Sequence, residues 1–179
     1  MKQLKEYIKE GLFDDIDKQE GKNNLAAQNK QLKKEIVDWI SDYYLESYNK
    51  KLKKRSLTVD MSTIPPTVDY KGDLNAKKIS TLNNHGMFQW GEVEGDFNCG
   101  GNRHLTSLEG CPKKVGGYFY CDQNVNLTSL EYAPSEVGGN FYCNDTFDSD
   151  DVKKVSNVKG KIVRSEIHPY YSSITRPLR

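Results

Sequence analysis

Phe97, Phe119 and Phe141 stand 22 residues apart, and each is followed two residues later by a cysteine, Cys99, Cys121 and Cys143. Laid over one another, GDFNCGGNRHLTSLEGCPKKVG from Gly95 and GYFYCDQNVNLTSLEYAPSEVG from Gly117 agree at Phe, Cys, Asn, LTSLE, Pro and Val-Gly. A third copy from Gly139 keeps the start and then diverges. A period of this length dictates a stack of coils, because no single unit of 20 to 29 residues can bury its apolar side without its neighbours.

The residue types within one period predict how a coil is built. Along Tyr118-Phe119-Tyr120-Cys121 side chains alternate across a strand, so inward Phe119 and Cys121 leave Tyr118 and Tyr120 outward. Asn102 and Asn124 come three residues after the cysteine, where the strand bends, and are expected to form a short buried ladder bonded to backbone. Leu105 with Leu108 and Leu127 with Leu130 supply the return face. Pro112 and Pro134 stiffen the far bend, Val115 and Val137 lead back to the next strand, and the Gly116–Gly117 and Gly138–Gly139 pairs are expected to permit a tight corner. The pattern decays on both sides: Gly72-Asp73-Leu74-Asn75 matches Gly95-Asp96-Phe97-Asn98 at an offset of 23, and Gly160-Lys161-Ile162-Val163 follows the third repeat. The degenerate first coil carries Met87, Phe88 and Trp90, large residues suited to packing against a cap.

The run F-x-C-x-x-N-x-x-L-T-S-L resembles the leucine-rich repeat, with Phe and Cys in its strand leucine positions and Asn102 and Asn124 in its asparagine position. The resemblance covers residues 72 to 163. It implies a parallel sheet used for protein recognition, with no chemistry of its own. The expected fold class is therefore α+β: a short parallel β-solenoid, leucine-rich-repeat-like with a period of about 22 residues, capped by an N-terminal helical segment.

Four segments follow. Residues 1 to 55 form a helical cap or contact segment, 56 to 71 a strand and Pro-rich linker, 72 to 163 the solenoid, and 164 to 179 a C-terminal cap or tail. In the first, Lys2 to Phe13 reads as a short helix. A second helix is expected from Asn24, as N-cap, to about Lys54, with Leu25, Leu32, Ile36, Trp39, Ile40, Tyr43, Tyr44, Tyr48 and Leu52 mostly three or four apart. At 1.5 Å per residue such a helix is roughly 45 Å long, more than a stack of four to five coils spaced about 4.8 Å apart. Either Trp39, Ile40 and Tyr43 cover the open end of the solenoid, or the helix protrudes and makes a second contact, including a homo-oligomeric one, through Trp39, Tyr43, Tyr44 and Tyr48. Ser56 to Asp73 reads as one edge strand and a stiff linker around Ile64-Pro65-Pro66.

Charge is unevenly spread over a chain whose formal net charge is +1. Residues 1 to 55 carry 13 basic and 10 acidic groups, whereas residues 92 to 160 carry 6 and 11. An acidic solenoid disfavours nucleic acid as its ligand. No stretch is apolar enough to span a membrane, and MKQLKEYIKEG lacks the core of a secretion signal, so the chain is expected to stay in the cytoplasm or go where assembly takes it.

Candidates for chemistry are sparse. Cys99, Cys121 and Cys143 are expected as a reduced, buried column, with Cys111 at the far bend off that column; spacings of 12, 10 and 22 contain no CxxC, and no metal site is expected. Asp145, Asp148, Asp150 and Asp151 lack the spacing of a calcium loop, and Asp148 or Ser149 is expected instead to cap a short helix, Asp151 to Val155. His85, His104 and His168 stand singly. Lys50, Lys51, Lys53, Lys54 and Arg55 read as the solvated end of the long helix, with a nucleic-acid grip as the alternative. No phosphate loop, GxSxG or HExxH occurs. The expectation is no enzyme and no cofactor.

One surface has the composition of a recognition face. Asp96, Tyr118 and Asn140 form one outward column and Asn98, Tyr120 and Tyr142 the next, unless the cap helix covers them. The main expectation is thus a non-enzymatic protein-binding or assembly module. The opening MKQLKEYIKEGLFDDI with its charged helix is similar to the start of small proteins encoded by tailed phages of gut bacteria. That similarity implies two partners in competition: a phage structural protein, for a virion-associated or capsid-packaged component, or a host defence protein that the chain inhibits.

Overall fold

The structure, a computed structural model, describes residues 18–46, 50–76, 82 and 86–166. The expectations for Lys2–Phe13, Tyr48, His85, His168 and the segment beyond residue 166 fall outside these. The chain divides into two compact units, Met1–Glu35 and Ile36–Arg179. The first, where described, is helical and largely exposed, with Gln31 donating to the Glu35 carboxylate at 2.8 Å one turn on.

Helix α1 runs Lys18–Tyr43, so both of its expected limits need correction. Asn24 is an interior residue, because the polar residues ahead of it continue the helix and leave no apolar signal in the sequence to mark its start. The helix stops after Tyr43 because Tyr44, fully buried, carries the chain into a hairpin of β1 (Leu45–Glu46) and β2 (Lys50–Lys51). The basic run therefore lies on a strand and on a 3-10 turn, Lys54–Ser56, not at a helix end. The expected linker is likewise a second strand: β3 (Leu57–Asp60) pairs antiparallel with β4 (Thr67–Tyr70), and the two prolines sit in the connection.

From β4 onward the chain winds as a parallel β-solenoid of about four turns with a period of about 22 residues. Each turn contributes a strand to two sheets. β5 (Leu74–Asn75), β7 (Phe97–Asn98), β9 (Phe119–Tyr120), β11 (Phe141–Asn144) and β13 (Ile162–Ser165) stack in one; the other holds β4, β6 (Gln89–Val93), β8 (Lys114–Val115), β10 (Glu136–Val137) and β12 (Asn157–Val158). Apart from one shift between β4 and β6, pairing is in register: Leu74, Phe97, Phe119, Phe141 and Ile162 are successive partners, as are Val93, Val115, Val137 and Val158. Like residues therefore lie over like. The Phe97 and Phe119 rings stack with centroids 6.0 Å apart, and Phe141 meets Phe119 edge-on at 4.9 Å.

Between the sheets lies an apolar core of these phenylalanines with Leu105, Leu108, Leu127, Leu130 and the valine column, all at most 4% exposed except at the terminal coils. The four cysteines are free and buried. Cys99, Cys121 and Cys143 form the expected column, and the buried Cys111 thiol at the far bend lies within electrostatic reach of Cys99. A coil this thin brings the far bend within reach of the strand column.

At the glycine corners the reason for glycine is space between coils. A Cβ on Gly116 would collide with the Glu94 carbonyl and one on Gly138 with the Gly116 carbonyl, while neither residue has a positive φ. In the last repeat α2 (Ser149–Val155) replaces the LTSLE turn. Asp148 is its N-cap, accepting from the amides of Asp150 and Asp151, and Asp151 returns a bond to the Asp148 amide, a reciprocal capping box.

Ile36 and Ile40 of α1 are fully buried in the second unit. Trp39 meets the Phe88 ring edge-on at 5.7 Å, and Trp90 Nε1 donates to the Tyr44 hydroxyl at 3.3 Å. The last two turns of α1 thus cover the first coil, as the large residues Phe88 and Trp90 foretold.

Candidate recognition face

The outward side of the long sheet is built by the same register that fills the core. Asn98, Tyr120 and Tyr142 are strand partners, and Tyr118 precedes Phe119 on the adjacent outward position. The Tyr120 and Tyr142 rings stack, 4.6 Å between centroids and 14° between planes. Tyr118 turns its edge to both at 6.2 Å. Among the described residues the rings contact one another and no aromatic ring of α1; Tyr118 is 42% exposed, and Tyr120 and Tyr142 are half-buried by their own stacking.

The three polar residues of the expected face have structural bonds. Asp96 Oδ1 accepts the Tyr118 amide at 2.7 Å, and Asp73 Oδ1 accepts the Asp96 amide at 2.9 Å one coil earlier. Asn140 continues the series, accepting from the Lys161 amide at 2.9 Å while its own amide group donates to the Tyr142 hydroxyl at 3.1 Å. Asn98 accepts from the Gly100 amide at 3.0 Å and shapes the turn. Parallel strands two residues long leave amides unpaired at the corners, and these side chains satisfy them. The recurrence of Asp or Asn after glycine at positions 73, 96 and 140 is the sequence signal for this role.

A second ladder runs inside. The Asn102 amide donates to Asn124 Oδ1 at 2.7 Å, Asn124 Nδ2 donates to the Cys121 carbonyl at 2.9 Å, and Asn144 Nδ2 donates to the Asn124 carbonyl at 2.9 Å. Asn144 joins the ladder from a position outside the repeat period, one residue after its cysteine instead of three.

Comparison with known protein families, with curated proteins and with solved structures finds no match. The face must be read from its own chemistry.

Of the expected second contact, Trp39 stacks on Tyr43 at 4.6 Å and Tyr43 is 50% exposed, whereas Tyr44 belongs to the core and has no surface to offer. In the basic run, Lys54 is bound to Asp38 at 2.6 Å. No group of three or more His, Cys, Asp or Glu comes together among the described residues, and no helix among them is long and apolar enough to cross a membrane.

Proposed function

We propose that this chain is a non-enzymatic protein-binding or assembly module whose docking surface is the outward face of the long sheet, centred on Tyr118, Tyr120 and Tyr142 with Asp96, Asn98 and Asn140 around them. The observation that carries this reading is the contiguous ring cluster on a sheet whose opposite face is packed solid. Rings already held by their neighbours lose little freedom when a partner covers them, so their area converts efficiently into affinity. The likeness to leucine-rich repeats points the same way, since stacked coils present one extended face to a partner.

Trp39 and Tyr43, stacked on the exposed side of α1, are a second contact in this reading, for another copy of the chain or for the same partner. Given the phage-like opening of the sequence, the partner is a phage structural protein if the chain is virion-associated, and a host protein if it blocks a defence. A nucleic-acid role through Lys50 to Arg55 has less behind it, because part of that run is engaged with Asp38.

Affinity capture from the native source tests the proposal, using the whole chain beside Y118A/Y120A/Y142A. One protein retained by the first and lost by the second is expected. A partner retained equally by both overturns the assignment of the face. Finding the chain in purified particles selects the virion role; finding it only with a host protein selects the inhibitor.

A further inference from the structure

Charge is not symmetric around the rings. Strand alternation puts Tyr118, Tyr120 and Asp122 on one outward side, and the Asp122 carboxylate lies over Gly100 of the preceding coil, where a Cβ would come within 3.0 Å of its Oδ1. Asp96 lies one coil earlier beside Tyr118, held by its bond to the Tyr118 amide. Burial first, then the Asp96 carboxylate, then the neighbouring phenols and Asp122, push the Tyr120 phenol above its ordinary range, which places both carboxylates within electrostatic reach of that ring. On the opposite margin the outward column of Asp96, Tyr118 and Asn140 ends in a cation, Lys161.

We propose that the margin formed by Tyr118, Tyr120, Asp96 and Asp122 is a site for an arginine side chain carried by an extended segment of the partner protein. The inference rests on the docking reading above and names the chemistry of the partner. A guanidinium is planar and weakly hydrated, so it lies on an aromatic face while its fork engages a carboxylate. Lysine supplies the charge without the plane. An acidic segment would meet Asp96 and Asp122 as like charges, and an apolar one would desolvate both carboxylates while bringing no cation to them.

The test titrates the full chain with hexa-arginine, hexa-lysine and hexa-glutamate peptides by calorimetry at two salt concentrations. Hexa-arginine is expected to bind saturably and more tightly than hexa-lysine, with no binding of hexa-glutamate. D96N/D122N keeps the acceptor for the Tyr118 amide and is expected to weaken hexa-arginine at least tenfold with a shallower salt dependence. Y118A/Y120A is expected to do the same and to remove the preference over lysine. E109Q/E131Q removes equal charge elsewhere and is expected to change nothing. Equal weakening by E109Q/E131Q, no effect of D96N/D122N, or no saturable binding overturns the arginine site. To separate this from failure of the docking face, a photoreactive residue in place of Tyr118 is used for capture. A crosslinked partner segment containing arginine supports the proposal; a segment without arginine overturns it while leaving the face intact; no crosslinked protein overturns both.

Discussion

The thiol and the amide of Cys99 converge on a single acceptor, the carbonyl oxygen of Tyr120 in the next coil, at 3.3 Å and 2.9 Å. Cys121 repeats the arrangement one coil on with the carbonyl of Tyr142, at the same two distances. An inward cysteine thus holds the backbone of the residue that presents an outward ring. Core and face are joined through one carbonyl per coil. This accounts for cysteine where a leucine would fill more volume: the thiol is small, apolar, and still a weak donor.

Replacing Cys121 by Ala removes that donor and leaves a small void in a packed column. The expected loss is about 1–2 kcal/mol of unfolding free energy, measured by urea denaturation. The near-ultraviolet circular dichroism of the native protein should change as well, because the stacked ring of Tyr142 is carried on the carbonyl concerned. Unaltered stability and dichroism would show that the thiol is only a filler.

Three buried thiols set a pH dependence. Burial pushes Cys111 and Cys121 well above the usual thiol range of about 9, and Cys143 up to about 11. In the unfolded chain they ionise at ordinary values, so above pH 9 the unfolded state binds fewer protons than the folded one. Stability is therefore complete below about pH 9 and is lost as pH rises towards 11. Urea midpoints at pH 7, 9, 10 and 11 should fall over the last three values. A flat profile would mean that the thiols are solvated.

The period and the inward columns were legible because Phe, Cys, Asn and LTSLE recur whole. The second sheet was not, since its strands Lys114–Val115 and Glu136–Val137 are two residues long and turn a single valine inward, too little for an alternation to register. The end of α1 was hidden by Tyr44 and Leu52, which keep helical spacing although both are buried from non-helical backbone. On the recognition face the rings could be read from strand alternation, but the bonds of Asp96 and Asn140 depend on which corner amides two-residue strands leave unpaired, and that is a property of stacked coils, not of one repeat.

Asn124 is the center of the inner ladder and is completely buried. Alanine there strands the Asn102 amide and the Cys121 carbonyl, at an expected cost of roughly 2–4 kcal/mol in chemical denaturation. Asn124→Asp retains the acceptor but buries a charge, so it should be worse than alanine at neutral pH. Its folded carboxyl pKa would be raised, and its deficit should shrink as pH falls towards about 4. If both variants unfold like the parent, the ladder does not hold the coils.

Two glycines separate the two reasons for having glycine. Gly138 has an ordinary φ, but a Cβ there collides with the Gly116 carbonyl, and backbone in a stacked sheet has no flexible end to move aside. Gly101 has a φ of 68° and open space around its Cβ position. Gly138→Ala must push two coils apart and is expected to cost about 2–3 kcal/mol, in the range of overpacked cores. Gly101→Asn, a residue that tolerates the left-handed region, should cost under about 1 kcal/mol. Thermal unfolding of the two variants gives the comparison directly. Should Gly101→Asn be the more damaging, the coils are not stacked as closely as the shared register of Val115 and Val137 requires.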